Sequence, residues 1–308
     1  MLRLRIDAFT VEVVRELEKD RVRALLLKGP SIAGWLYDRG ESRPYVDADL
    51  LVDPGQLETA AEGLTRVGFE RSADETVAES FAEPHAVTWR RSRDRAAVDL
   101  HWRLPGVSAD PRRAWQRLSS EAEPIRVAHA ELEALPEAAR ALHLALHAIQ
   151  NGREVDQSMS DLARGLERLD DATWRSAAQL AEDLDAVMPF SAGLRLTVEG
   201  AALADRLSLP SRLPERWILW GQTPPPGALR LHELVSAPRV SGKARFLAAT
   251  LMPPPSYIRA LYPEARRGTG ALLLTYLRRS LAGIRSVPPA IRALRRLRKE
   301  PGQSRGRG

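Results

Sequence analysis

Ala24-Leu25-Leu26-Leu27-Lys28-Gly29-Pro30-Ser31 is the stretch on which the fold turns. Its short apolar run, halted by Gly-Pro, predicts a buried strand that passes directly into a helix over about Ser31 to Asp38, ended by Gly40. Downstream, Val46-Asp47-Ala48-Asp49-Leu50-Leu51-Val52 reads as a second strand closed by Asp53-Pro54-Gly55, and Leu57 to Val67 as another helix. Upstream, Phe9, Val13, Val14 and Leu17 fall at helical spacing within Asp7 to Asp20. Two further strands, His85 to Arg91 and Ala96 to Trp102, are expected to pair across the polar turn Ser92 to Arg95.

From Pro136 onward the periodicity is helical, over Ala138 to Gln150, Met159 to Leu169, Trp174 to Leu184 and Ser191 to Leu207. Prolines 224 to 226 and 253 to 255 read as turns between helices. The expectation is an α+β chain: a mixed sheet with flanking helices over residues 1–130, an all-helical domain over 131–265, and a basic helical tail with a disordered end over 266–308.

The 308 residues are 44% apolar and 28% charged, the composition of a globular protein. Without cysteine there is no disulfide and no thiolate metal site, so any metal ligand is a carboxylate or an imidazole. The N-terminal stretch is broken by charges and no later run reaches spanning length, which predicts a cytoplasmic protein with no membrane span. Oligomeric state is not legible. The net charge of +6 is uneven: residues 266–308 hold twelve Arg or Lys against Glu300 alone, +11, leaving about −5 for the rest. Such a tail suits nucleic acid, an anionic membrane surface or an acidic partner, and also a merely solvated helix. The acidic body argues against a long nucleic-acid track.

Side chains two apart on a strand share a face, so Asp47 and Asp49 are expected to project together. Adjacent carboxylates repel, and a divalent cation between them offsets that repulsion; magnesium prefers such hard oxygen ligands. A lone DxD is common and usually solvent-facing, but acids inside an apolar strand are either exposed at an edge or used. Asp99, between Val98 and Leu100, repeats the situation, with His101 on its face two residues later. Three strand carboxylates suffice for two metal ions. Lys28-Gly29-Pro30-Ser31 lies where a strand meets a helix N-terminus, a favourable place for phosphate. Lys28 is one of four lysines among forty-six basic residues. It reads equally as a phosphate contact or as a structural ion-pair partner. His143 and His147, one helical turn apart, suit packing better than zinc, because no HExxH accompanies them.

Leu27-Lys28-Gly29, Arg43-Pro44, Asp47-Ala48-Asp49-Leu50-Leu51-Val52 and Val98-Asp99-Leu100-His101-Trp102 occur in this order, followed by Leu142 to His147 and Asp161-Leu162-Ala163-Arg164. As a set they resemble the nucleotidyltransferase superfamily, in particular a poorly characterised bacterial family with a leading Leu-Lys-Gly motif. The resemblance implies Mg2+ on Asp47, Asp49 and Asp99, with Gly29 and Ser31 holding the triphosphate of an NTP substrate and Arg43 and Lys28 adding phosphate contacts. The implied reaction moves a nucleoside monophosphate to an acceptor and releases pyrophosphate. The sequence does not choose among small-molecule, peptide and protein acceptors. Pro30 between Gly29 and Ser31, and Lys28 before the glycine, depart from the common pattern. The alternative is a catalytically silent nucleotide-binding or regulatory module that engages a partner through its basic tail.

Overall fold

The computed structural model describes residues 2–38, 40–72, 85–153, 156–222, 227–236 and 267–299, with Lys243, Met252, Pro255, Ile258 and Ala265. The expected turns at prolines 224 to 226, most of 253 to 255, and the expected disordered end fall largely outside these residues. The described residues up to Leu213 form one compact unit, and those from Pro214 onward a second.

The first unit opens with α1 (Leu2–Lys19), β1 (Ala24–Leu26), α2 (Pro30–Leu36) and β2 (Ala48–Val52). A 3-10 turn (Pro54–Gln56) leads to α3 (Leu57–Arg66), followed by β3 (Glu70–Arg71), β4 (Ala86–Arg91) and β5 (Ala96–His101). Next come α4 (Pro111–Ser119), the hairpin β6 (Glu123–Val127) and β7 (Ala130–Ala134), and five helices. These are α5 (Glu137–Asn151), α6 (Asp156–Arg168), α7 (Asp171–Asp183), α8 (Val187–Leu194) and α9 (Val198–Arg206). The seven strands form one mixed sheet in the order β3-β4-β5-β2-β1-β7-β6, with β2 parallel to β5 and antiparallel to β1.

Strand alternation sorts the apolar residues into two cores. Leu26, Leu50, Val52, Val98 and Leu100 face α1 and α3, burying Phe9, Val13, Leu17 and Leu64. Leu25, Leu27 and Leu51 face the other way, into a core built with α2, α4 and α5 to α9 that includes Leu142, Leu146, Trp174 and Phe190. That second core runs from β1 to Leu209, so no break in packing falls at the boundary expected near residue 130. Helix α8 lies so close to α5 that a Cβ on Gly193 would sit 2.0 Å from the Ala145 carbonyl oxygen.

Several elements depart from the sequence reading or lie where it assigns none. The helix expected over Ser191 to Leu207 is two helices, because Thr197 caps α9 by accepting a hydrogen bond from the Gly200 N–H at 3.0 Å. Helix α4 starts on Asp110, whose carboxylate accepts from the Arg112 and Arg113 N–H groups ahead of Pro111. The β6–β7 hairpin turns at Ala128 in the left-handed region, φ 50°, without the Gly or Asn that usually announces such a turn.

The second unit contains α10 (Glu215–Trp220), α11 (Ala228–Ser236) and α12 (Thr269–Lys299). Leu219, Ala228 and Ala290 form one small core, and Ile258, Ala265 and Leu272 another. Among the described residues of the chain, no helix is long and apolar enough to cross a membrane.

Candidate functional site

Parallel pairing of β2 with β5 sets Asp49 directly beside Asp99. Both belong to the sheet face opposite Leu50 and Leu100, the face that α5 covers. Asp49 is buried and Asp99 partly so. Across the antiparallel β4–β5 pair, Thr88 lies opposite Asp99 and its hydroxyl donates to Asp99 Oδ1 at 2.7 Å. Asp47 lies just before β2, not within it, and is partly buried.

Two side-chain nitrogens converge on a single carboxylate oxygen. Lys28 Nζ is 2.7 Å from Asp49 Oδ1, and His101 Nε2 is 3.3 Å from the same atom. His101 is buried, and its ring centroid is 5.7 Å from that of His85. One ligand atom each from Asp49, Asp99 and His101 lie within 4.8 Å of one another, a group that could hold a metal ion. Asp47 stands outside this tightest set, yet it senses the charge of Asp49, Lys28 and Asp99.

The electrostatics show how the acids share the site. Burial, then the neighbouring Asp49 carboxylate, pushes the Asp47 carboxyl up to about 7. Burial works in the same direction on Asp49, but Lys28 and His101 override it and hold Asp49 ionised, well below the usual range. Burial also disfavours the Lys28 ammonium, yet Asp49, Asp47 and Asp99 together raise its pKa. Three carboxylates thus face one lysine, and the unbalanced negative charge falls on Asp47. Oxygen donors, one imidazole and a charge deficit of this kind fit a divalent cation.

The strand-helix turn places the remaining expected residues. Gly29 precedes α2 with φ 60° and ψ −117°, a conformation open to glycine and strained for other residues. Pro30 occupies the first turn, where its missing N–H leaves no helical bond unmade. The Ser31 side chain is buried, and its hydroxyl donates to the Lys28 carbonyl at 3.3 Å. Leu27 N–H donates to the Asp49 carbonyl at 3.0 Å, tying this turn to β2. Lys28, Gly29 and Ser31 therefore follow the end of β1 where β2 begins, beside Asp47 and Asp49, and Asp99 joins them from within β5.

Arg43 is placed elsewhere. Its buried guanidinium donates to both oxygens of Asp161 on α6, through Nε at 2.9 and 3.0 Å and through Nη2 at 2.6 Å. Tyr37 Oη at 2.7 Å and Gln157 Nε2 at 2.9 Å donate to the same carboxylate. The Arg43-Pro44 and Asp161-Leu162-Ala163-Arg164 motifs, 118 residues apart, meet here as one ion pair. Arg43 acts by fastening the segment that leads to Asp47.

Three residues of this region have roles that sequence reasoning does not assign. Asp161 carries a signal, since it opens a conspicuous motif, but nothing local names its partner. His101 carries a weaker one, two residues from Asp99 on the same face. Thr88 carries none, because its contact depends on β4–β5 register.

The family model described as uncharacterised nucleotidyltransferase matches residues 3–200. The chain belongs to this nucleotidyltransferase family. Among solved structures it is similar to the lincosamide antibiotic adenylyltransferase LnuA in its lincomycin-bound form, at 13% identity and a TM-score of 0.33, over 51% of this chain and 93% of that one. It is also similar to an antigenic nucleotidyltransferase-like protein from Paracoccidioides brasiliensis, at 13% identity and a TM-score of 0.35, over 59% of this chain and 92% of that one. No curated protein matches the chain.

Proposed function

We propose that this nucleotidyltransferase transfers a nucleoside monophosphate from an NTP to the hydroxyl of a small-molecule, peptide or protein acceptor, with Mg2+ and in the cytoplasm. The observation that carries the reading is the register pairing of Asp49 with Asp99, beside an Asp47 left short of positive charge. In this reaction the acceptor oxygen forms a bond to the α-phosphorus, the bond from that phosphorus to the bridging oxygen breaks, pyrophosphate leaves, and the acceptor proton is released.

Asp47, Asp49 and Asp99 would hold the metal, with the His101 imidazole beside them. When bound, divalent ions supply activation of the attacking oxygen and neutralisation of the triphosphate. Lys28, held by Asp49, keeps a fixed ammonium beside the carboxylates for phosphate oxygens. Gly29 lets the backbone come close to the phosphates, while Ser31 braces the turn through the Lys28 carbonyl. The Arg43–Asp161 pair holds the segment before β2 in place from behind.

The test is transfer of label from α-labelled NTPs, together with pyrophosphate release, in the presence of Mg2+ and pools of candidate acceptors. Asp47→Ala or Asp49→Ala is expected to lower the rate by about 100-fold to 1000-fold, the range for removing one preorganised electrostatic group. Transfer unchanged in either variant rules out this site. Nucleotide binding without turnover would instead favour the silent module that Lys28 neutralisation of Asp49 could support.

A further inference from the structure

Helix α12 has two apolar faces, and its own unit uses one of them. Leu272, Thr275 and Ala290 are buried, with Tyr276 and Leu294 packed beside the same small cores. At 100° per residue these positions fall on one side of the helix. On the other side Leu273, Leu277, Leu281, Ile284 and Val287 follow at intervals of four, four, three and three residues, flanked by Leu274. All six are between 39% and 65% exposed. The stripe is about 21 Å long at 1.5 Å per residue. A contiguous exposed aliphatic patch of this size marks a surface that meets something apolar.

Charge indicates what that partner is. Arg278, Arg285 and Arg292, spaced seven apart and all exposed, run along one edge of the stripe, and the exposed Arg295 lies beyond its end. No Asp or Glu occurs between Ala265 and Lys299. A second copy would bring one +11 segment against another. A nucleic acid offers phosphates but nothing to cover six aliphatic side chains. A bilayer with anionic headgroups offers both layers in the required order: acyl chains for the leucines, and phosphates one side-chain length away for the arginines.

We propose that α12 docks the chain on an anionic lipid surface, lying in the headgroup plane with the Leu273 to Val287 stripe turned into the acyl boundary. The helix is not apolar enough to span. Pro288 and Pro289, inside the helix, separate this apolar stripe from the more basic last turns.

The experiment is co-sedimentation of the full chain with phosphatidylcholine vesicles and with mixed phosphatidylcholine/phosphatidylglycerol vesicles, repeated as salt is raised. Binding is expected to the mixed vesicles and not to phosphatidylcholine alone, and to weaken with salt. Arg278→Gln with Arg285→Gln is expected to lower affinity by roughly 25-fold, about fivefold for each charge removed near the surface. Leu277→Gln with Ile284→Gln, both at exposed positions, is expected to abolish binding while leaving the melting temperature unchanged. The proposal is overturned by no binding to mixed vesicles, by equal binding to both vesicle types, or by binding that survives loss of Leu277 and Ile284. Self-association of the chain that disappears in the Leu277/Ile284 variant, without vesicle binding, would overturn it in favour of a second copy.

Discussion

Two buried ionic clusters lie in the first unit, and they are balanced differently. Around Asp161, one carboxylate receives three hydrogen bonds from Arg43 and one each from Tyr37 and Gln157, so charge and lone pairs are answered. Burial, reinforced by the bond to Asp161, raises the Tyr37 phenol to about 12, which keeps it a donor at any physiological pH. Around Asp49, three carboxylates share Lys28 and His101, and Asp47 is pushed up to about 7. A closed cluster of the first kind holds elements together. An open one persists only where the fold around it, here the paired strands β2 and β5 and the α5 layer, holds it against its own repulsion.

The same chemical change should therefore act in opposite ways in the two clusters. Asp161→Asn keeps the shape but leaves the Arg43 guanidinium buried without a counter-charge, and is expected to lower unfolding free energy by about 3–5 kcal/mol. Adding Arg43→Met should shrink that loss, because the stranded charge goes with it. Asp47→Asn removes a repelling carboxylate and is expected to leave stability unchanged or to raise it. Urea unfolding of the variants measures all of this. A loss in Asp47→Asn as large as that in Asp161→Asn would erase the distinction between the clusters.

Much of this arrangement is legible in the sequence alone. The Leu25 to Leu27 run, its Gly-Pro stop and the Asp47 to Val52 stretch place β1, the turn and β2 because buried strands admit little but aliphatic residues. The acids are conspicuous for the same reason. Register is not legible: that Asp49 pairs with Asp99, while Asp47 stands just outside the strand, follows from long-range ladder bonds. Arg43 shows the limit most clearly. Only the family resemblance implies a phosphate contact for Arg43, and nothing local shows that Asp161, 118 residues later, takes its guanidinium. The β6–β7 hairpin is hidden because Ala128 takes a left-handed turn with no residue to mark it, and its strands carry charges on the edge of the sheet. Asp110-Pro111 at the start of α4 does carry a signal, a cap followed by a first-turn proline, but the short helix behind it has few apolar positions to set a period.

Metal binding sharpens the contrast further. At a hundredfold excess over its Kd, Mg2+ bound only to the folded chain adds about 2.7 kcal/mol, roughly 5–10 °C in melting temperature for a unit of this size. That increment is expected in the wild type, to vanish in Asp49→Asn or Asp99→Asn, and to persist in Asp161→Asn from its lower starting point. Calorimetric melting with Mg2+ and with a chelator reads it. Stabilisation by Mg2+ that survives in both site variants would move the ion elsewhere.

The smallest expected effect concerns His143, which responds to both clusters at once. It lies buried on α5, neither ring nitrogen has a hydrogen-bond partner among the described residues, and its ring stacks on that of His147 at 5.8 Å. Burial, then the positive charge of Lys28, lowers its pKa to about 3, with Arg43 of the other cluster acting in the same direction. His147, also held well below its usual value by burial, accepts a hydrogen bond from Asn151 Nδ2 at 2.9 Å. In the unfolded chain each imidazole takes up its proton near pH 6.5. Between there and about pH 3 the unfolded state binds protons that the folded state refuses, so stability is full above pH 6.5 and falls as pH drops. Each histidine adds at most about 1.4 kcal/mol per pH unit to that slope. Leucine at position 143 binds no proton in either state, so His143→Leu is expected to halve the two-histidine part of the slope between about pH 6 and 4, whatever it does to stability at neutral pH. Urea unfolding at several pH values gives the slope directly. An undiminished slope would mean that the ring is protonated in the folded chain, which cations from both clusters oppose.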